Sequence, residues 1–170
     1  MKLELKNVHF SERLSQETNA FAADVYFKGK KVGYAENDGH GGCTNVSHYP
    51  EKRDEFKEAM DYAKSLPKIV YEGRGGLKGF ELDSNLEMQV DHLFTDWLEE
   101  KEIKKNSKKG IYFEQPNGTR SIMSWKGHTL SKILKDPRNI PMVRAKVFQL
   151  QNEGNTILND NLLGILTEKA

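Results

Sequence analysis

The spacing of apolar residues predicts an α+β fold: an antiparallel sheet, made of an N-terminal three-stranded meander plus a second hairpin, packed with two main amphipathic helices and shorter C-terminal helices. Three observations carry this. Apolar and polar residues alternate over Leu3 to Phe10 and over Ala20 to Ala35, the period of half-buried strands. They recur at helical spacing over Glu51 to Leu66 and again beyond Ser84. Asn117-Gly118 separates two strand-like runs and is a strong hairpin signal. A chain of 170 residues fits one α+β domain, 1–170, with a subdivision into meander plus helix (1–72) and helix, hairpin and C-terminal helices (80–170).

In the meander, Phe21, Ala23, Val25 and Phe27 share one face and Ala22, Asp24 and Tyr26 the other, and Lys28-Gly29-Lys30 supplies the reversal into Lys31 to Ala35. The first helix carries Phe56, Ala59, Met60 and Ala63 as its apolar stripe and stops at Pro67. Ile69 to Tyr71 then leads into Glu72 to Gly79, a glycine-rich connection whose ordinary reading is a solvated linker. Ser84-Asn85-Leu86-Glu87 has capping-box form, and Leu86, Val90, Leu93, Phe94 and Trp97 follow as a stripe on a helix running to about Lys104. Gly110 to Gln115 and Thr119 to Trp125 form the second hairpin, and Thr129 is placed to cap a short helix ending at Pro137. From Pro141 to Gly154, Val143, Val147 and Leu150 suit a helix, with a strand as the competitor because of the β-branched residues. Thr156 to Leu166 closes the chain as a strand or short helix.

Composition narrows the function classes. A formal charge of +1 gives neither a global basic field for nucleic acid nor an acidic excess. The single cysteine, Cys43, excludes an intrachain disulfide framework and a multi-cysteine zinc site, which suits a reducing compartment. No apolar run approaches the roughly 20 residues that span a bilayer, so no membrane role and a cytoplasmic location, in the host cell, are expected.

The stretch with the most chemical potential is Asn37-Asp38-Gly39-His40-Gly41-Gly42-Cys43-Thr44-Asn45. The amides of Gly39, Gly41 and Gly42 offer an anion-holding concavity, with Thr44 and Asn45 as donors and Arg74 or Lys78 as countercharge. The loop is neither a Walker A nor a dinucleotide fingerprint. Asp38, His40, Cys43 and His48 lie close in sequence, but a lone cysteine among glycines is a poor zinc shell, and packing is the commoner role of such a cysteine. No metal, no cofactor and no catalytic residue is therefore assigned. Trp125 and Tyr49 are candidates to stack on a base, although aromatics more often pack. The candidate ligand-binding set is Asn37, Asp38, Gly39, His40, Gly41, Gly42, Thr44, Asn45, Arg74, Lys78, Trp125, Lys126 and His128. Lys101 to Lys109 gathers cations at a helix C-terminus, where they complement the dipole, and a phosphate patch is the alternative.

Glu17-Thr18-Asn19-Ala20-Phe21, Gly29-Lys30-Lys31-Val32-Gly33, Asn37 to Thr44, Trp125-Lys126-Gly127-His128-Thr129-Leu130 and Gly154-Asn155-Thr156-Ile157-Leu158-Asn159 together resemble a family of small proteins encoded by bacteriophages, prophages and other mobile elements. The resemblance spans most of the chain and transfers no catalytic residue. It implies a setting: such accessory proteins counter bacterial defence, as inhibitors that occlude a defence protein or by ligand sequestration of a nucleotide signal. The expected function is thus non-enzymatic binding of a nucleotide-like small molecule or a bacterial defence protein. An enzyme that degrades or modifies a defence nucleotide is the first alternative. A nucleic-acid-binding accessory protein ranks behind it. A homodimer is the expected oligomer.

Overall fold

The computed structural model describes residues 2–71, 78–162 and 164. It has the predicted α+β class, with antiparallel pairing throughout its sheets. The chain divides into two compact units, Met1–Asp96 and Trp97–Ala170, and the boundary falls inside one helix.

The first unit opens with a meander of four strands rather than three: β1 (Leu3–Ser11), β2 (Ala20–Phe27), β3 (Lys30–Asn37) and β4 (Asn45–His48), in that spatial order. Lys28 and Gly29 both adopt positive φ, +50° and +77°, at the two-residue turn between β2 and β3. That pattern matches the twist of the flanking strands, which is why glycine stands there. Phe21, Ala23, Val25 and Phe27 are all buried on the predicted face. Phe56, Ala59 and Ala63 of α1 (Arg53–Lys64) are buried as well, with the Phe27 ring 5.4 Å from that of Tyr62, while Met60 is only half-buried. Gly33 lets β4 approach β3, because a Cβ there would stand 2.2 Å from the Ser47 carbonyl oxygen. A hairpin of β5 (Ile69–Tyr71) and β6 (Phe80–Leu82) precedes α2 (Leu86–Lys109).

Asn85, not Ser84, caps α2: its Oδ1 accepts the Met88 amide at 2.8 Å, and the buried Ser84 hydroxyl accepts from Gln89 at 3.0 Å instead. The helix also runs to Lys109, five residues beyond the predicted end, because nothing before Gly110 breaks it. Leu86, Val90 and Phe94 are its buried positions in the first unit, and the Phe94 ring stacks on Phe21 with centroids 3.9 Å apart.

The second unit is a three-stranded sheet, order β8-β7-β9, formed by β7 (Ile111–Glu114), β8 (Arg120–Met123) and β9 (Thr156–Ile157). With it pack α3 (Leu130–Ile133) and α4 (Ile140–Asn152), around Ile111, Phe113, Leu130, Val143, Val147 and Leu150. The competition over 141–153 is thereby settled as helix. Its end is a Schellman closure: Gly154 at φ +86° donates to Gln151 O at 2.9 Å, and Asn155 N to Leu150 O at 3.1 Å. Thr129 begins α3 through its backbone carbonyl, which accepts from Lys132 and Ile133, with no side-chain cap.

Asn159 ties this unit together. It is 3% exposed. Its Oδ1 accepts the Tyr112 amide at 2.6 Å, and its Nδ2 donates to Gly110 O at 3.1 Å, Asn161 Oδ1 at 3.1 Å and Ser107 O at 3.4 Å. The Gly154 to Asn159 motif is therefore accounted for by architecture, a helix stop followed by a polar hub.

Candidate functional site

The loop joining β3 to β4 is built from short-range turns locked by one distant residue. Asn37 Oδ1 accepts the Gly39 amide at 2.9 Å, and Asp38 Oδ1 accepts the His40 amide at 3.0 Å, two successive Asx turns. Thr18, nineteen positions upstream of Asn37, donates its hydroxyl to Asn37 Oδ1 at 2.8 Å and accepts the Gly41 amide at 3.3 Å. In return the Gly39 carbonyl accepts the amides of Gln16, Glu17 and Thr18 at 3.0, 3.1 and 3.4 Å. The loop and the β1–β2 connection therefore hold one another.

Glycine is required at Gly39 on two counts. Its φ is +87°, and a Cβ there would meet the Leu14 carbonyl oxygen at 2.4 Å and the Ala20 Cβ at 2.9 Å. Gly41 and Gly42 also have positive φ, +94° and +100°. A Cβ on Gly41 would meet the end of the Glu17 side chain at 2.6 Å, and one on Gly42 would meet nothing within 4 Å. Beyond the glycines, Thr44 is buried and donates to Asp91 Oδ1 at 2.5 Å.

These bonds change what the loop offers. The Gly39 and Gly41 amides, expected to face an anion, are engaged by Asn37 and Thr18, whereas among the described residues the Gly42 amide has no hydrogen-bond partner. An open cleft of about 500 Å³ lies against the loop, bounded by Phe21, Glu36, Asp38, Cys43 and Asn45 among others. Among the described residues, no lysine or arginine lines it or the adjoining clefts of about 210 and 440 Å³. The charge at the rim is carboxylate, from Glu36 and Asp38. The Asp38 carboxyl is held below its usual range, first by the His40 amide and also by the His40 ring, whose Nδ1 is 3.6 Å away. Such a surface accepts hydrogen bonds and attracts cationic groups.

Each remaining candidate has a definite place. Arg74 lies outside the described residues. Lys78 is exposed on the connection into β6, and no hydrogen bond or ion pair among the described residues links it to the loop. Trp125, Lys126 and His128 belong to the second unit, in a turn closed by the His128 amide on Trp125 O at 3.1 Å. Trp125 packs against that unit's core. Tyr49 tilts against Tyr34 and lies beside Lys31. Cys43 is exposed, and among the described residues its thiol has no hydrogen-bond partner. His48 donates from Nδ1 to Tyr49 O at 3.0 Å and packs on Phe56. Among the described residues no three of His, Cys, Asp and Glu gather as metal ligands.

Two contributors were not in the predicted set. Glu36 lines the largest of these three clefts beside Asn45, whose Nδ2 reaches it at 3.4 Å. Thr18 locks the loop. The only signal for Thr18 was its place in the Glu17-Thr18-Asn19 motif, since its partner is distant in sequence. Compared with protein-family models, curated proteins and solved structures, the chain matches none.

Proposed function

We propose that this is a non-enzymatic accessory protein of the phage type that counters bacterial defence by binding a host defence protein at the rim of the 37–45 loop. The setting comes from the resemblance carried by the sequence motifs. The observation that favours a protein partner over a nucleotide signal is the polarity of the loop: two of its three glycine amides are engaged internally, and the clefts beside it are rimmed by Glu36 and Asp38 without a lining cation. A phosphate needs donors or cations, whereas a rigid acidic rim suits a basic patch on another protein. Preorganisation by Thr18 and Asn37 lowers the ordering cost of such a contact.

The test is a plating assay on bacteria that carry a chosen defence system. Expression of the protein should raise phage plating efficiency on a system it counters, and Glu36→Lys/Asn45→Lys should abolish the gain while leaving the circular dichroism spectrum unchanged. Full protection by that variant would remove the rim from the function. Protection that survives the variant but depends on loss of a cellular nucleotide signal would assign the protein to nucleotide sequestration instead.

A further inference from the structure

We propose that the C-terminal part of α2 is a nucleic-acid-binding face, on which lysines hold the phosphates of a single strand beside the Trp97 indole. The two units differ sharply in charge. Trp97–Ala170 contains 13 Lys and Arg against 8 Asp and Glu, a net of +5, whereas Met1–Asp96 has 13 against 17, a net of −4. The near-neutral total conceals this separation, and such an asymmetry is a recognised sign of a polyanion partner.

Within the second unit the excess is focused by geometry. Lys101, Lys104, Lys105 and Lys108 line an open trough of about 540 Å³ together with Trp97 and Glu100. They are spaced i, i+3, i+4 and i+7 on one helix face, so at about 1.5 Å per residue the row extends roughly 10 Å along the helix. The acids of the same helix are largely turned to other work. Arg120 contacts Glu99, lies 3.7 Å from Glu102 and binds Glu114 at 3.1 Å, and the Tyr112 hydroxyl donates to Glu102 at 2.8 Å. Among the described residues that line the trough, the one carboxylate is Glu100, paired with Lys104 at 3.0 Å. Among the described residues Lys105 and Lys108 have no ion-pair partner.

The chemistry of the row selects phosphate. All four cations are lysines, which bind phosphate as point charges, and no arginine fork suited to a carboxylate lines the trough. Lys101 Nζ lies over the Trp97 ring, 4.6 Å from its centroid, so cation and indole share one place on the helix, the combination by which single strands are held through backbone and base together. This face is distinct from the loop proposed above and stands independently of it.

The probe is a fluorescein-labelled oligothymidylate of about 20 nucleotides, titrated with the full chain by anisotropy between about 50 and 200 mM salt. With three to four phosphates engaged, the logarithm of the association constant should fall against the logarithm of salt with a slope of about −2 to −3. Lys104→Gln/Lys105→Gln/Lys108→Gln keeps good helix formers at exposed positions and should weaken binding at least about tenfold while flattening the slope by about 2. Lys57→Gln/Lys64→Gln, on α1, should bind like the unaltered chain. Lys105→Gln or Lys108→Gln alone should each flatten the slope by about one contact, a readout that survives if the triple variant misfolds. In a Trp125→Phe background, Trp97 is the sole tryptophan and its emission should change on saturation. Absence of saturable binding at low salt, undiminished binding by the lysine variants, or equal binding of polyglutamate would each overturn the proposal, the last by assigning the face to acidic protein.

Discussion

Replacing Asn159 with alanine should cost the second unit about 3–5 kcal/mol, mostly by stranding two backbone groups. The Tyr112 amide has Asn159 Oδ1 as its partner at 2.6 Å, and the Gly110 carbonyl accepts from Asn159 Nδ2 at 3.1 Å. Both residues are buried. Each unsatisfied buried group costs about 1–3 kcal/mol, and the missing amide leaves a small void besides. The Ser107 carbonyl is partly rescued, since Asn161 Nδ2 also reaches it at 3.1 Å. The total is a large share of the roughly 5–15 kcal/mol of a typical domain. Both tryptophans, Trp97 and Trp125, lie in this unit, so urea unfolding followed by tryptophan emission reads it selectively. With a slope of about 1–3 kcal/mol per molar, the midpoint should drop by about 2 M. Asn159→Asp should fail to rescue, because a carboxylate accepts from Tyr112 but cannot donate to Gly110. A loss below about 1 kcal/mol would refute the hub.

Further outcomes follow from the first unit. Asn37→Ala removes the acceptor shared by Gly39 and Thr18, and should cost about 2 kcal/mol and accelerate hydrogen exchange at the Gly39 and Gly41 amides; unchanged protection there would mean that Thr18 alone suffices. Gly33→Ala places a Cβ 2.2 Å from Ser47 O, so β4 must shift, and a penalty of at least about 2 kcal/mol with loss of protection at Asn45–His48 is expected. Burial pushes the Asp24 carboxyl up, but hydrogen bonds from Lys31 at 2.8 Å and Asn7 at 2.7 Å outweigh it and hold the net value below the usual range. A carboxyl depressed on folding stabilises fully above its unfolded value, near 3.9, and that contribution disappears as pH falls through the folded value. Asp24→Asn should therefore lower the melting temperature at pH 7 and make little difference at about pH 2; an equal deficit at both would contradict the ion pair.

Much of this architecture was legible because it is local. Strand alternation placed Phe21, Ala23, Val25 and Phe27 on the buried face of β2, the Asn117-Gly118 turn marked β7–β8, and Val143, Val147 and Leu150 at i, i+4 and i+7 match the face that α4 buries. The fourth strand, β4, was not legible: Asn45, Ser47 and His48 leave Val46 as its single apolar residue, and what recruits it is the space over Gly33 on another strand. Asn85 replaced Ser84 as the cap because burial gave the serine hydroxyl another partner, a tertiary fact. At the loop, Gly39, Gly41 and Gly42 all take the positive φ that glycine permits. The engagement of the amides was hidden, because Thr18 arrives from a different connection. Charge behaved similarly, since a total near zero concealed two oppositely charged units whose boundary lies within a helix.

The loop rim is proposed to bind a protein. The most direct measurement is native mass spectrometry of the chain isolated from host bacteria at low salt, alongside Glu36→Lys/Asn45→Lys, followed by heat denaturation and analysis of released small molecules. A host protein should be bound in fixed stoichiometry to the unaltered chain and absent from the variant, with no nucleotide released by either. A nucleotide released in fixed ratio from the unaltered chain, with no host protein attached, would contradict it.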